Sequence, residues 1–383
     1  MSAAPGLVGT RRAVLGGALA LLGGCSSMPW SGGRPKLPEA PQPTGRGSAK
    51  LAWSLRLAAA GAGFAPVVVG DSVYAAGADG TLARIEAAGG RVRWQVQAAR
   101  RLSTGVGSDG EIVVVTGRDG QLIAHGAAAG RPLWTTALGA EAVTVPAVAL
   151  GRVVLRTSDN RISAFDPATG QRRWSVSRQP SALVLRQTAG LSIAPGSAYA
   201  GLPGGRLIAI GLDGGQPRWE AAVSNPRGAN EIERIADIVG SPVASSREVC
   251  AASYQGKVAC FEAATGRALW ARDVAAVGGI EADARLVAVT DERGHVHAFS
   301  RTGASLWRQE ALARREPSAP VAVGNHLVLG DVQGQVYVLS RDDGAIVARF
   351  PTDGTPMLAQ GVRFERLAIL QTSGGTLVAI EVD

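Results

Sequence analysis

The sequence contains little of what enzymes use for chemistry. Its 383 residues include only 3 cysteines and 4 histidines, and 5% of them are aromatic. It has no motif for a catalytic nucleophile and no cluster of acidic residues, so no convergent set of polar groups stands out. We therefore predict that the protein is not an enzyme and that it holds neither a cofactor nor a metal. No segment of helical length has a 3.6-residue apolar period, which argues against a helical fold.

Two of the four histidines are close in sequence. His295 and His297 alternate along a predicted strand, so they share one face and have the spacing to chelate a metal. A metal site needs a third and usually a fourth ligand, and none is adjacent in the sequence. We interpret both as surface or packing residues.

The charge is positive, with a formal net value of +8 at pH 7. The basic residues are mostly arginines scattered along the chain, and there is no recognition motif or platform of aromatics on which bases could stack. This pattern predicts no nucleic-acid partner and at most a mild attraction to anionic lipid.

What the sequence does have is a repeat. A turn residue is followed fourteen positions later by tryptophan in the pairs Gly80/Trp94, Gly120/Trp134, Asn160/Trp174, Gly205/Trp219 and Gly256/Trp270. The tryptophans recur about every forty residues, which is the length of a propeller blade of four short strands. The eighth copy, at Gly375, meets the end of the chain, and the strand at residues 51–55 can supply its missing outer strand. We predict an all-β fold at residues 50–383: an eight-bladed β-propeller of four-stranded antiparallel blades, closed by the N-terminal strand.

The first 24 residues have the features of an export signal. Two arginines precede an apolar run at residues 13–22, which is too short to span a bilayer. The run ends in Leu-Gly-Gly before Cys25, which resembles the lipobox of bacterial lipoproteins. This resemblance implies that residues 1–24 are removed and that Cys25 carries acyl chains, palmitate among them, that anchor the protein. A plain cleaved signal is the alternative, and the export route, general or twin-arginine, stays open.

Two features follow the lipobox. Ser26 stands where an inner-membrane retention signal would usually place Asp, which favours the periplasmic face of the outer membrane. Residues 25–49 are rich in proline, serine and glycine and cannot form a core, so we predict a flexible tether.

Two connections between predicted blades are longer than the others. Residues 178–187 and residues 225–239 extend the tryptophan spacing to 45 and 51 residues. Each joins the outer strand of one blade to the inner strand of the next, so both should emerge on the same face of the propeller. We predict a binding surface there, because loops that break a repeat commonly carry function.

The lipobox, the tether and eight repeats similar to the PQQ type, with Ala-x-Asp-x-x-Thr-Gly-x-x-x-Trp complete at residues 164–174, together resemble the BamB family. So do Ser-Ala-Leu-Val-Leu-Arg at residues 181–186 and Glu-Ile-Glu-Arg-Ile-Ala-Asp at residues 231–237. BamB proteins are lipoprotein subunits of the machinery that assembles outer-membrane β-barrels. The resemblance implies contact with the POTRA domains of the BamA-like insertase, through the residues that match the two family motifs. These residues are Leu183, Leu185, Arg186 and Asp237. The family has an Asp-x-Asp pair here. Asp237 matches its first aspartate, and Val239 replaces the second.

Other interpretations remain open at this stage. The leucines can tuck into a blade edge while Arg186 pairs with Asp237 inside the chain. The protein can also be a general periplasmic scaffold that binds extended client strands, including unfolded outer-membrane proteins, by β-augmentation. The resemblance of the repeat also suggests a quinone-dependent dehydrogenase as an alternative function, but that family has an adjacent cysteine pair that this chain lacks.

The cysteines that remain flank a predicted hairpin turn at residues 254–256. A three-residue loop with glycine in the left-handed position would set Cys250 opposite Cys260. In that register the pair is not hydrogen-bonded, the strands approach closely and a disulfide is feasible. A shift of one residue would leave the two cysteines as packing residues instead.

Overall fold

The computed structural model describes residues 37–178, 190–226, 229 and 235–383. Residues Pro38–Asp383 form one compact unit, in which the strands make eight sheets of four antiparallel strands. The innermost strands of neighbouring sheets contact one another around the ring. The predicted all-β, eight-bladed propeller is confirmed. Among the described residues no helix is long and apolar enough to cross a membrane.

The first four blades follow one another in sequence, each from its inner to its outer strand. Blade one contains β2 (Val67–Val69), β3 (Ser72–Ala76), β4 (Thr81–Glu86) and β5 (Val92–Gln97). Blade two contains β6 (Leu102–Ser108), β7 (Ile112–Gly117), β8 (Gln121–Gly126) and β9 (Pro132–Ala137). Blade three contains β10 (Ala147–Ala149), β11 (Arg152–Arg156), β12 (Arg161–Phe165) and β13 (Arg172–Ser177). Blade four contains β14 (Leu191–Ala194), β15 (Ser197–Leu202), a 3₁₀ turn (Pro203–Gly205), β16 (Arg206–Gly211) and β17 (Pro217–Ala222).

The other four blades continue the order, and the last one takes its outer strand from the N-terminal side. Blade five contains β18 (Ile238–Ala244), β19 (Glu248–Ser253), β20 (Lys257–Glu262) and β21 (Ala268–Asp273). Blade six contains β22 (Ala276–Ala282), β23 (Leu286–Asp291), β24 (Val296–Ser300) and β25 (Ser305–Gln309). Blade seven contains β26 (Val321–Val323), β27 (His326–Gly330), β28 (Gln335–Ser340) and β29 (Ile346–Pro351). Blade eight contains β30 (Val362–Phe364), β31 (Leu367–Gln371), β32 (Thr376–Val382) and β1 (Ala49–Arg56).

The hydrophobic core lies between the blades. In five blades the third strand carries a large apolar residue and, two positions later, an alanine, such as Leu122 and Ala124 in β8, both fully buried. These two pack in one cluster with Val153 and Leu155 from the next blade. Because both faces of a blade are covered in this way, the second and third strands are buried, the innermost strand is mostly partly buried and the fourth is largely exposed.

The ring closes as the repeat predicts. Strand β1 pairs antiparallel with β32 from Ala49 opposite Val382 to Arg56 opposite Thr376. The N-terminal strand thereby covers an edge that would otherwise be open to pairing with other chains.

The repeat tryptophans make one recurring contact between blades. Each indole N–H donates to a backbone carbonyl of the next blade at 2.8–3.0 Å, and its ring covers a glycine there with φ between 68° and 81°. At Gly170 an added Cβ would lie 2.5 Å from a ring carbon of Trp134. The Gly and Trp positions are therefore packing positions. The pairs are Trp53/Gly90, Trp94/Gly130, Trp134/Gly170, Trp174/Gly215, Trp219/Gly266, Trp270/Gly303 and Trp307/Gly344.

The absence of tryptophan at one repeat position, which Ala348 occupies in β29, also has a physical reason. The next blade has no tight turn after its third strand, because β32 ends the chain and β1 comes from elsewhere, so there is no glycine for a ring to cover. Residues from the N-terminal side lie there instead. The N–H groups of Thr44 and Gly45 both donate to the carbonyl of Ile346, at 2.9 and 2.8 Å.

Residues 38–48 differ from the predicted tether, because they lie against blade seven. Arg315, which is 1% exposed, donates to the Pro38 carbonyl at 2.5 Å and to Asp331 Oδ2 at 2.7 Å. Arg349 donates to the Ala40 carbonyl at 2.7 Å. The proline-rich segment forms no core of its own, but its carbonyls accept hydrogen bonds from the buried Arg315 and the partly buried Arg349. The part of the predicted tether that precedes residue 37 lies outside the described residues.

Candidate partner-binding face

The two long connections are joined at their bases. One runs from β13 to β14 and the other from β17 to β18. The N–H of Gly190, at the end of the first, donates to the carbonyl of Gly240, just past the second, at 2.7 Å. An added Cβ at Gly190 would lie 1.9 Å from Ser241 Oγ, so the close approach requires glycine. Both connections therefore leave the propeller from one shared base.

Several of the predicted site residues lie outside the described residues. They are Cys25, Leu183, Leu185 and Arg186. Their predicted roles stay predictions.

Asp237 is described, and it lies below the surface. Its exposed fraction is 6%, and its Oδ1 accepts the N–H of Gly204 at 2.9 Å. Its carbonyl accepts the N–H of Tyr254 at 2.8 Å. Asp237 thus ties the second connection to the 3₁₀ turn of blade four and to the hairpin turn of blade five, an arrangement that suits a positioning role.

Val239, at the second acidic position of the family motif, is part of the core. It is 1% exposed and packs with Cys250, Ala252 and Val258. A carboxylate at this depth would lose its hydration without a charged partner, at a cost of several kcal/mol. Valine suits the core here, and of positions 237 and 239 only Asp237 carries a negative charge.

Arginines surround the base of the two connections. Arg156 is 7% exposed, and burial lowers the pKa of its guanidinium while the charge of Asp237 acts to raise it. Nearer the surface, Glu220 accepts Arg206 Nε at 2.9 Å and lies 3.6 Å from Arg178 Nη2. Exposed pairs of this kind add little stability, but they give the face a charged rim.

A cavity of about 210 Å³ lies beside the second connection. It is lined by Ser224 and Asn225 from blade four and by Gln255, Lys257 and Asp273 from blade five. Pockets that bury a small-molecule ligand hold about 300–1,000 Å³. This cavity is smaller than that.

Cys250 and Cys260 face each other across β19 and β20, in the predicted register. The turn itself differs from the prediction, because the residue in the left-handed conformation is Gln255, with φ 48°, and not Gly256. Their Cα atoms are 4.0 Å apart and the two residues form a disulfide. Both are buried between blades five and six. They are ten residues apart in sequence, unlike the adjacent cysteine pair of the quinone-dependent dehydrogenases.

Sequence reasoning missed the buried carboxyl group of Glu281 and its contacts. Glu281, on the inner strand of blade six, has its pKa raised to about 7 by burial and by the charge of Asp283. Gln360 donates to Glu281 Oε2 at 2.9 Å and to the Pro320 carbonyl at 2.7 Å, and so links blades six, seven and eight. No local motif signals these contacts, which join residues 79 and 40 positions apart.

Sequence reasoning also missed Asp291, a third side chain of a type that binds metals, which lies beside His295 and His297. The interpretation that no further ligand is adjacent was wrong, because the turn brings Asp291 within hydrogen-bond distance of His297 Nε2, at 2.8 Å. In the sequence this residue has the appearance of an ordinary turn aspartate. The only available signal is its spacing from the two histidines.

Fold and surface together define a class: an eight-bladed propeller of PQQ-type repeats, whose two longest connections are joined by the bond between Gly190 and Gly240. A family model described as outer membrane protein assembly factor BamB matches residues 45–100, 78–302 and 292–383. The chain belongs to the BamB family.

Individual relatives agree with this assignment. The outer membrane protein assembly factor BamB of Bordetella pertussis is 36% identical over 382 residues, which is 99% of this chain and 98% of the relative. The BamB of Pseudomonas aeruginosa is 45% identical over 323 residues, 83% of this chain and 84% of the relative. The crystal structure of BamB from Moraxella catarrhalis superposes with a TM-score of 0.79 and 26% identity, over 87% of this chain and all of that one.

Proposed function

We propose that this chain is a non-enzymatic periplasmic scaffold subunit of the outer-membrane β-barrel assembly machinery, and that it binds the POTRA domains of the BamA-like insertase. The observation that carries the proposal is the shared base of the two longest connections, held together by the bond between Gly190 and Gly240. A rigid propeller with two loops on one base is a preorganised surface for a protein partner. Leu183 and Leu185 supply apolar anchors on that surface, with Arg186 at the rim, which is the composition of an interface hot spot.

In this proposal Asp237 acts by positioning. Its bond to Gly204 holds the second connection against blade four. Loss of Asp237 would weaken binding by loosening the loop.

The location follows from the predicted anchor. Acyl chains on Cys25 would hold the protein to the periplasmic face of the outer membrane. The contacts of Arg315 and Arg349 with residues 38–40 begin thirteen positions after Cys25. A flexible segment of that length has a typical reach of about 20 Å, so the proposed anchor would keep the propeller close to the membrane.

A second role, binding of extended client strands, is favoured by one feature of the outer strands. They expose large apolar side chains at nearly equivalent repeat positions, each one or two residues before the tryptophan. These side chains are Leu51, Val92, Leu133, Leu269 and Leu306. Strand addition at such an edge would combine backbone hydrogen bonds with apolar contacts, and so would assist the folding and insertion of outer-membrane proteins.

The test is co-purification of the insertase from membranes in mild detergent. We expect the double variant Leu183→Ala/Arg186→Ala to recover much less insertase than the wild type, at an unchanged melting temperature. The matched control is Arg131→Ala/Leu133→Ala, an exposed pair at the start of the outer strand of blade two, with Leu133 in β9 and Arg131 just before it. Equal recovery by both double variants contradicts the loop contact. A loss confined to the blade-two variant would favour the outer strands as the binding surface.

A further inference from the structure

Three ligand-type side chains meet at the turn between β23 and β24 in blade six. Asp291 ends β23, His295 lies in the turn, and His297 is the second residue of β24. Asp291 Oδ2 lies 3.2 Å from His295 Nδ1 and 2.8 Å from His297 Nε2. The three ligand atoms all lie within 4.8 Å of one another. One nitrogen from each imidazole and one carboxylate oxygen therefore converge.

Neighbouring contacts fix the orientation of these side chains. Asp291 Oδ1 accepts the backbone N–H groups of Arg293 and His295, at 3.0 and 2.8 Å, which turns Oδ2 toward the imidazoles. The ring of His297 is parallel to that of Phe299 to within 4°. The three side chains are 11–16% exposed. The cluster is thus ordered by its surroundings, yet solvent reaches it.

Blade seven provides an internal comparison. At the equivalent positions of that repeat stand Asp331, Gln335 and Tyr337. The Oδ1 of Asp331 accepts two turn N–H groups, at 2.8 and 2.9 Å, as in blade six. Its Oδ2 accepts the Tyr337 hydroxyl at 3.0 Å and Arg315 Nε at 2.7 Å. The turn aspartate is therefore structural in both blades, and the histidine pair is what distinguishes blade six.

We propose that Asp291, His295 and His297 bind a divalent transition-metal ion, with Zn²⁺ suited to two imidazoles and one carboxylate. Tetrahedral bonds of about 2.0–2.2 Å put ligand atoms about 3.3–3.6 Å apart. The measured separations of 2.8 and 3.2 Å from the carboxylate oxygen reach that spacing with small side-chain movements. Three protein ligands leave the fourth position to water, and the partial exposure of the histidines gives water access.

The test is metal binding by the full chain, purified in detergent without a histidine tag. Buffers contain no reductant, so the cysteines of blade five stay oxidised and cannot compete for the ion. Titration with Zn²⁺ should give one site, and Co²⁺ should give the visible absorption of a tetrahedral site. The double variant His295→Gln/His297→Tyr introduces the blade-seven residues and should weaken binding at least about tenfold. His125→Gln, a histidine outside the cluster, should bind as the wild type does.

A second measurement needs no variant. Histidine modification by diethylpyrocarbonate, mapped by mass spectrometry with and without Zn²⁺, should show protection at His295 and His297 alone. The proposal is overturned if the wild type binds no Zn²⁺, if the double variant binds as tightly as the wild type, or if protection falls on other histidines.

Discussion

Trp53 is the side chain that closes the ring, and its removal should destabilise the whole propeller. It is 9% exposed on β1, its indole N–H donates to the Ala87 carbonyl at 2.9 Å, and its ring covers Gly90. It therefore joins blade eight to blade one. Within blade eight, no turn of the chain connects the third strand, β32, to the fourth strand, β1. Trp53→Ala removes the ring and the hydrogen bond together.

The size of the effect can be worked out from these contacts. Truncation of a buried tryptophan to alanine costs about 3–5 kcal/mol, and the hydrogen bond accounts for about 1 kcal/mol of that. In a domain of this size each kcal/mol shifts the melting temperature by about 2 °C. We expect the variant to melt roughly 6–10 °C below the wild type. Trp53→Phe should lose less, because it keeps most of the buried ring.

Urea unfolding followed by far-UV circular dichroism measures the change without relying on tryptophan fluorescence. The matched control is Leu51→Ala on the same strand, where the side chain is 48% exposed and the change should stay within about 0.5 kcal/mol. Removal of the whole strand, in a protein that begins at Ala60, should abolish cooperative unfolding or cause aggregation through the edge of β32. If Trp53→Ala unfolds like Leu51→Ala, or the shortened protein melts like one that begins at Arg46, the closure does not stabilise the ring.

Three further predictions concern stability. Gly170→Ala should cost at least about 2 kcal/mol more than Gly151→Ala, because both glycines have φ near 70° but only the first lies under a tryptophan ring; thermal melting compares them. Replacement of both Cys250 and Cys260 by alanine should lower the free energy of unfolding, measured in urea, by about 2–3 kcal/mol. A reductant should lower the free energy of unfolding of the wild type toward that of the variant and should leave the variant unchanged. The pKa of Glu281 is about 7 in the folded protein and 4.5 ordinarily, so the folded state holds a proton that the unfolded chain releases between these values. Wild-type stability should therefore fall as pH rises through this window, and Glu281→Gln should remove that part of the fall; parallel slopes would contradict the assignment.

The blade count, the ring closure and the hairpin register could be predicted from the sequence because they depend on local patterns. A Gly-to-Trp spacing of fourteen residues fixes a third and a fourth strand and the turn between them. The loop at residues 254–256 sets Cys250 opposite Cys260, because the length of the loop fixes the register of the hairpin even though its left-handed residue is Gln255 and not Gly256.

The contacts of the N-terminal segment could not be predicted in this way. Arg315 reaches Pro38 across 277 positions of sequence, and its acceptor is a backbone carbonyl, which every residue carries. The burial of Asp237 is of the same kind, because its partner is the backbone N–H of Gly204. Asp291 was overlooked for a different reason: an aspartate in a turn already has a local explanation in the hydrogen bonds of the turn.

The proposed partner contact is tested most directly by a photo-crosslinking amino acid placed at position 183 of the full chain in living cells. Position 133 on the outer strand of blade two, where Leu133 is 52% exposed, serves as the matched control. We predict that position 183 crosslinks to the outer-membrane barrel insertase and that position 133 does not. Equal crosslinking from both positions, or none from position 183 while the insertase still co-purifies, would contradict the proposed binding face.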